Sequence, residues 1–197
     1  FAAGLGDMMR YRGRSYSDKR PLPAVLGAGV AVLLAPFGVS LRRAPEVALY
    51  LITLLTIGVS FAIGCGYAYA FQRLLGFDQR VAVAVATLTG VGTLALPYAT
   101  VLVNHVPCGA AGLAACYHLY RARDGNARDL AFGGFAVSLC YALDAAGAVF
   151  AVAAAIMLWG MPLRRWLLCA AAGVPMVAAQ LGYNLATSGS ILPTVFN

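Results

Sequence analysis

The chain alternates between long apolar runs and short polar turns. Residues 47–71 and 166–184 contain no Asp, Glu, Lys or Arg, and each run is close to the roughly 20 residues that a helix needs to cross ~30 Å of hydrocarbon. Two further runs, 81–120 and 130–161, are too long for one comfortable span, so we expect each to divide into two helices. The pattern predicts an all-α protein, a polytopic bundle of about six transmembrane helices.

Single residues mark the places where the long runs divide. Pro97 lies near the middle of the first, and the residue before a proline is disfavoured in a helix. Asp144 lies near the middle of the second, where a carboxylate would be costly to bury in lipid. A shorter apolar segment, 24–41, is interrupted by Pro36, and it either crosses the membrane or dips in and returns.

The beginning of the chain differs from the rest. Residues 1–23 are polar and basic but also carry Tyr and Met side chains, which indicates an amphiphilic loop on the outer face of the membrane. Residues 24–197 then form the transmembrane helical domain. The chain starts at Phe1 and ends in a loop-like stretch, so we expect a fragment or a processed chain.

The composition is typical of a protein embedded in lipid. Hydrophobic residues make up 61% of the chain, charged residues 11%, and the mean hydropathy is +0.80, whereas soluble domains carry about 25% charged residues. The net charge of +7 does not indicate nucleic-acid binding, because the basic residues form short clusters between apolar runs. The cysteines lack CxxC or histidine-rich spacing and are predicted to be small buried hydrophobes rather than disulfides or metal ligands: Cys65, Cys108, Cys116, Cys140 and Cys169.

The basic turns predict how the protein is oriented. Cytoplasmic loops of membrane proteins are rich in Lys and Arg, which places three turns inside the cell: 72–80, 121–129 and 162–165. Pro97, Asp144 and the end of the chain then face outward from a multi-pass protein of the cell membrane. Arg42 and Arg43 also fall outside, against this rule, and an anionic ligand would explain them. The segment 24–41 is either re-entrant, or it crosses and leaves the N-terminal loop in the cytoplasm.

A few polar residues stand at places where helix packing alone does not require them, and these are candidates for chemistry. Lys19 and Arg20 follow Asp18 just before an apolar segment, where they either touch lipid headgroups or bind a phosphate or sugar. Asn104 and His105 are predicted to lie about one helical turn inside the outer end of their span. His105 either fixes the packing of a neighbouring helix or contacts a phosphate.

Asp144 is the third candidate. It either pairs with a cation such as Arg42 or Lys19 for structural reasons, or it belongs to the site. His118 lies near the cytoplasmic interface and is predicted to be a packing residue. The stretch 183–190 is predicted to be the end of a span followed by a turn.

Three stretches resemble a known group of membrane enzymes. Residues 11–21 (YRGRSYSDKRP) look like a "GxxYSDKxP" loop, residues 92–105 (GTLALPYATVLVNH) are similar to a "GT-x3-PYAT-x3-H" segment, and residues 183–190 (YNLATSGS) are similar to a "YN-x3-GS" helix end. The group is the bacterial and archaeal branch of the GT-C superfamily, the polyprenol-phosphate-sugar-dependent glycosyltransferases, which includes protein mannosyltransferases and aminoarabinose transferases. The chain departs from the group at Leu22, where a Gly often follows the Pro.

The resemblance implies transfer of a sugar from a polyprenyl-phosphate donor to an acceptor on the outer face of the membrane, the acceptor being a protein, a glycan or a lipid. It implies that an acidic residue, Asp7 or Asp18, removes the acceptor proton. Basic residues would hold the departing phosphate, and the implied substrate-binding set is Lys19, Arg20, Arg42, Arg43, Tyr98, Asn104, His105 and Asp144. No metal ligands are assigned, and the use of a divalent metal stays open.

Two other classes of protein fit the same composition. A transporter or lipid flippase would use Asp144 and His105 as a relay near the bilayer midplane. A non-enzymatic subunit of a membrane complex would carry polar groups that do not converge. The spatial arrangement of the polar residues therefore discriminates between the three hypotheses.

Overall fold

The computed structural model describes residues 8–11, 14–17 and 19–191, which are α-helical apart from one short hairpin. Strands β1 (Met8–Tyr11) and β2 (Arg14–Ser17) pair antiparallel within the segment that was predicted to be a loop. Helices follow in the described remainder: α1 Pro21–Leu34, α2 Pro45–Thr53, α3 Val59–Leu74, α4 Gln79–Val91, α5 Ala95–Ala99, α6 His105–Arg121, α7 Ala127–Leu143, α8 Val149–Leu158 and α9 Leu163–Ser188. The predicted all-α character is confirmed.

Two helices in the described part of the chain are long and apolar enough to cross a membrane. A π-helical turn, Leu54–Gly58, joins α2 and α3 into one helix, Pro45–Leu74, of 30 residues, whose most apolar 18-residue window has a mean hydropathy of 2.2. Helix α9 contributes the second, Leu163–Thr187, of 25 residues, with a mean hydropathy of 1.4 over the corresponding window. Both contain the predicted apolar runs, and most of their surface faces away from the protein, as a lipid-facing helix requires.

The remaining helices are shorter, and they divide where the sequence predicts. The run 81–120 breaks between the end of α4 at Val91 and the start of α6 at His105, with the five-residue helix α5 between them. The run 130–161 breaks at Asp144, which separates α7 from a 3-10 turn that leads into α8. Helix α1 begins at Pro21, earlier than the apolar segment suggests, because proline is well tolerated in a first helical turn.

Polar side chains start the helices that follow two of the basic turns. The carboxylate of Asp78 accepts hydrogen bonds from the backbone N–H groups of Arg80 and Val81 at the start of α4, at 2.7 and 3.0 Å. Asn126 accepts from Arg128 N at 3.0 Å at the start of α7. Each cap satisfies a donor that the first helical turn leaves free, so the chain reverses direction at a defined residue.

Helices α6 and α7 form an antiparallel pair at the centre of the bundle. Asn104, just before α6, contacts Leu143 at the end of α7, whereas His118 near the end of α6 contacts Asp129 in the first turn of α7. Between these ends the two helices enclose a buried cluster: Cys108, Ala111, Cys140 and Leu143. The end where α6 begins and α7 ends is hereafter called the His105 end.

Helix α9 runs parallel to α7 and almost touches its backbone. A Cβ atom at Gly134 would overlap the carbonyl oxygen of Cys169, and one at Gly173 would lie 3.2 Å from the Ser138 Cβ atom. Glycine is therefore required at Gly134 for this packing. Small residues give such close contact between helices where lipid provides no hydrophobic driving force.

Candidate functional site

A histidine–aspartate pair joins α6 and α7 at the His105 end. His105 Nδ1 lies 2.7 Å from Asp144 Oδ2, although the two residues are 39 positions apart in the chain. The other carboxylate oxygen of Asp144 accepts a hydrogen bond from Ala146 N at 3.0 Å. The Asn104 side-chain amide donates to the carbonyl of Leu143 at 3.3 Å, one residue from the pair in each helix. Two polar contacts thus fix the start of α6 against the end of α7, and the bond from Ala146 holds the Asp144 carboxylate in place.

The pair leaves one edge of the imidazole available. An ionised carboxylate only accepts hydrogen bonds, so the contact requires the proton of His105 on Nδ1. Nε2 has no hydrogen-bond partner within the described ranges, and the side chain of His105 is 64% exposed while that of Asp144 is 14% exposed. Asp144 therefore orients a ring whose second nitrogen faces outward from the helix pair.

An apolar cavity of about 610 Å³ lies beside His105, between α3, α4, α5 and α6. His105 and Tyr98 line it, and their rings meet edge to face with centroids 6.2 Å apart. The other lining residues are Ser60, Phe61, Gly64, Cys65, Thr89, Thr93, Leu94, Ala95, Val106, Gly109, Ala110 and Leu113. We call this space the α3–α6 cavity.

The hydroxyl groups in the wall of the α3–α6 cavity donate to their own helices. Ser60 Oγ donates to the carbonyl of Thr56 at 2.7 Å, and Thr89 Oγ1 donates to the carbonyl of Val85 at 2.8 Å. Thr93 Oγ1 donates in the same way to the carbonyl of Thr89. The wall consequently offers few polar donors, and the polar groups are concentrated at His105 and Tyr98.

Arg20 lies over the last turn of α7. Its guanidinium carbon is 4.3 Å from the centroid of the Tyr141 ring, a cation–π contact. The Nη1 atom of Arg20 is buried and has no hydrogen-bond partner within the described part of the chain. Two residues later, Leu22 packs against the buried cluster that includes Cys140 and Leu143. The N-terminus of α1 is thereby held at the His105 end.

The structure brings together some of the predicted site residues. Tyr98, Asn104, His105 and Asp144 converge at one end of the bundle, and Arg20 lies nearby on Tyr141. The prediction that Asn104 and His105 lie one turn inside their span is wrong, because α6 begins at His105.

Other predicted site residues stand apart from this group. Arg42 and Arg43 are exposed in the turn before α2, and neither forms an ion pair with a residue that the structure describes. Asp144 contacts His105, a partner that the sequence did not indicate for it. Lys19 is exposed. Asp7 and Asp18, the predicted catalytic acids, lie outside the described residues.

Sequence reasoning missed a buried polar network at the opposite end of α6. Asp129 is 5% exposed; its carboxylate lies 2.7 Å from His118 Nδ1 and accepts a hydrogen bond from the Asn126 side-chain amide at 2.7 Å. His118 Nε2 lies 3.1 Å from the Tyr67 hydroxyl on α3, and Arg121 Nε lies 3.4 Å from Asp129. A buried carboxylate is tolerated only with such partners. The sequence signal was present, since antiparallel helices on either side of a short turn bring His118 and Asp129 together.

The described residues contain no group of three or more His, Cys, Asp or Glu side chains that could hold a metal ion. Cys108 and Cys140 are buried and face each other across α6 and α7, each thiol pointing to the carbonyl of the other at 3.6 and 3.5 Å. They pack as the small buried side chains that the sequence predicted.

A histidine–aspartate pair beside an apolar cavity suits a ligand with a polar head and an apolar chain. Comparison with known proteins gives no match, neither to a family model, nor to a curated protein, nor to a solved structure. The chemistry of the His105 end is therefore what bears on function.

Proposed function

We propose that this chain is a membrane glycosyltransferase that moves a sugar from a polyprenyl-phosphate donor to an acceptor on the outer face of the membrane. The observation that carries the proposal is the 2.7 Å contact between His105 and Asp144. It joins His105, which ends the PYAT-containing segment and lines an apolar cavity, to a separate acidic position. A phosphate-linked polyprenol has the matching form, an anionic head on an apolar chain.

The placement of the polar groups favours an enzyme over the two alternatives. A transporter relay belongs near the bilayer midplane, whereas His105 and Asp144 lie at helix ends. A purely structural subunit would scatter its polar residues, whereas Tyr98, Asn104 and His105 converge with Asp144. The arginine-rich turns lie at the opposite end of α6 and α7, which favours a bundle of about six spans with the His105 end outside the cell.

The proposed reaction is a displacement at the anomeric carbon of the sugar. The acceptor hydroxyl oxygen attacks this carbon, and the bond from the carbon to the phosphate oxygen breaks with its electron pair leaving on the polyprenyl phosphate. The acceptor proton passes to a carboxylate, for which Asp7 and Asp18 stay the predicted candidates. The protonated imidazole of His105 donates from Nε2 to the phosphate as its negative charge grows.

Asp144 acts through His105 in this scheme. Its carboxylate accepts a hydrogen bond from Nδ1–H and so fixes the direction of the ring. The apolar chain of the donor lies in the α3–α6 cavity, whose wall hydroxyls already donate to their own helices and do not compete for the sugar.

The test is sugar transfer in proteoliposomes that contain polyprenyl-phosphate sugars. We expect His105→Ala to lower kcat by roughly 100-fold, the usual loss for one donor to a developing anion. Asp144→Asn should lower it by about tenfold, because the ring keeps its place but loses the charged partner. Arg164→Gln is the control, since Arg164 is exposed at the opposite end of the bundle.

Melting temperatures in detergent show whether each variant is folded. Transfer that survives His105→Ala in a folded protein would remove His105 from the site. Equal losses in His105→Ala and Arg164→Gln would show a general effect of substitution and would contradict the proposed phosphate contact.

A further inference from the structure

A second apolar cavity, of about 550 Å³, lies between α7, α8 and α9, and we call it the α7–α9 cavity. Its walls are mostly small side chains, such as Ala151 and Ala155 on α8 and Gly173 on α9. The hydroxyl of Ser138 in its wall donates to the carbonyl of Phe135 at 2.7 Å. Along α9 the lining extends from Trp166 to Leu181, about 22 Å at the rise of an α-helix. Its length and walls suit a hydrocarbon chain.

A cation stands where this cavity reaches the His105 end. Tyr141 lines the cavity, and the Arg20 guanidinium lies on its ring at 4.3 Å. The buried Nη1 of Arg20 has no acceptor within the described ranges. Leaving a buried charged donor without an acceptor is unfavourable. A negatively charged group bound at this position would supply the acceptor.

The α7–α9 cavity is separate from the α3–α6 cavity. The two share no lining residue, and the α6–α7 pair lies between them. Their polar groups nevertheless meet at one end of the bundle, because Tyr141 precedes Asp144 by three residues on the same helix. Two chain-sized cavities thus flank a single polar region.

We propose that the α7–α9 cavity binds the apolar chain of an anionic amphiphile whose charged group contacts Arg20. The next step rests on the proposed glycosyl transfer: this amphiphile is the acceptor, so the enzyme glycosylates a membrane lipid. A donor in the α3–α6 cavity and an acceptor in the α7–α9 cavity would bring their head groups to the same end. A soluble acceptor has no hydrocarbon chain to fill an apolar cavity of this length.

The binding test uses a dodecyl phosphate with a diazirine at the end of its chain. It is photolysed with the protein in phosphatidylcholine vesicles, and the labelled peptides are identified by mass spectrometry. We expect the probe to label α8 and α9. Ala155→Phe fills the cavity and should reduce this labelling at least tenfold. Inorganic phosphate should not compete with the probe. Arg20→Gln should weaken labelling by the phosphate probe but not by the matching diazirine alcohol.

Gly109→Leu is the matched control for the filled cavity. Gly109 lines the α3–α6 cavity, and a Cβ atom there would meet open space, so this variant should keep the label on α8 and α9. The binding proposal is overturned if Ala155→Phe leaves that label intact, if Gly109→Leu removes it, or if inorganic phosphate displaces the probe.

The acceptor assignment has its own measurement. With native membrane extract as the source of acceptor, radiolabelled sugar from the donor should appear in the anionic lipid fraction and decline in Ala155→Phe. Label in the protein fraction would overturn the lipid acceptor. Label in neither fraction, while the probe still marks α8 and α9, would count against the glycosyltransferase and leave the amphiphile site standing.

Discussion

At the scale of single residues, the sequence identifies polar side chains that lipid would disfavour, but it does not pair them. Asp144 and His105 stand out because an ionisable group in an apolar run is costly. Their contact depends on how α6 and α7 align, and the apolar pattern does not determine this alignment. His118 was predicted to be a packing residue, and the structure agrees, because its hydrogen bonds to Tyr67 and Asp129 join α6 to α3 and α7.

Removing the carboxylate of Asp129 should destabilise the protein. Asp129→Ala leaves His118 and Asn126 without their shared acceptor in a buried place, so we expect a loss of about 3–5 kcal/mol in the free energy of unfolding. Asp124→Ala is the matched control, because Asp124 is exposed in the same turn and should change stability by less than ~0.5 kcal/mol. Denaturation in detergent measures both, and similar losses in the two variants would contradict a stabilising network at Asp129.

At the scale of helices, the sequence predicts which helices exist and which apolar runs divide better than it predicts the residues at which helices begin and end. The run 81–120 is interrupted on both sides of Pro97, which itself lies inside the short helix α5, and the run 130–161 is interrupted at Asp144, as predicted. The π-helical turn Leu54–Gly58 was not predicted, since nothing in an apolar run distinguishes a five-residue turn from a regular one. The hairpin β1–β2 was also missed, because strands of four residues are too short to show a clear alternation of apolar and polar positions.

The close approach of α7 and α9 gives a prediction for two glycines. Gly134→Ala places a methyl group onto the Cys169 carbonyl, so α9 must move away, at a cost of about 1–3 kcal/mol. Gly182→Ala adds a methyl group in open space on α9 and should stabilise the protein by up to ~1 kcal/mol, because alanine favours helix. Thermal unfolding in detergent compares the two, and a Gly134→Ala protein as stable as the parent would show that the helices are less tightly packed.

At the scale of the whole molecule, composition and run length predict a protein of the membrane, and two helices have the length and hydropathy for a span. The number of spans depends on how the shorter helices lie in the bilayer, and hydropathy alone does not determine that. The sequence predicts that Tyr98, His105 and Asp144 lie on the same side, but their direct contacts depend on how different elements pack, which hydropathy does not determine.

The proposed orientation predicts which turns a reagent reaches from outside the cell. Thr100 and Arg123 are exposed and lie at opposite ends of α6. A maleimide that does not cross membranes should label Thr100→Cys in intact cells and Arg123→Cys only after permeabilisation, with the parent chain as the blank. The reverse pattern would place the His105 end in the cytoplasm and would contradict an outer active side.

The two histidine–aspartate contacts have a mechanical consequence. One ties α6 to α7 at the His105 end and the other ties them at the far end, so the two helices cannot slide along each other by a turn without breaking both. Any movement that admits a ligand must then occur in the outer helices, α3 and α4 on one side and α8 and α9 on the other. Because a rigid pair separates the two cavities, one can open sideways to the bilayer while the other stays closed, and the order in which the two proposed lipids bind need not be fixed.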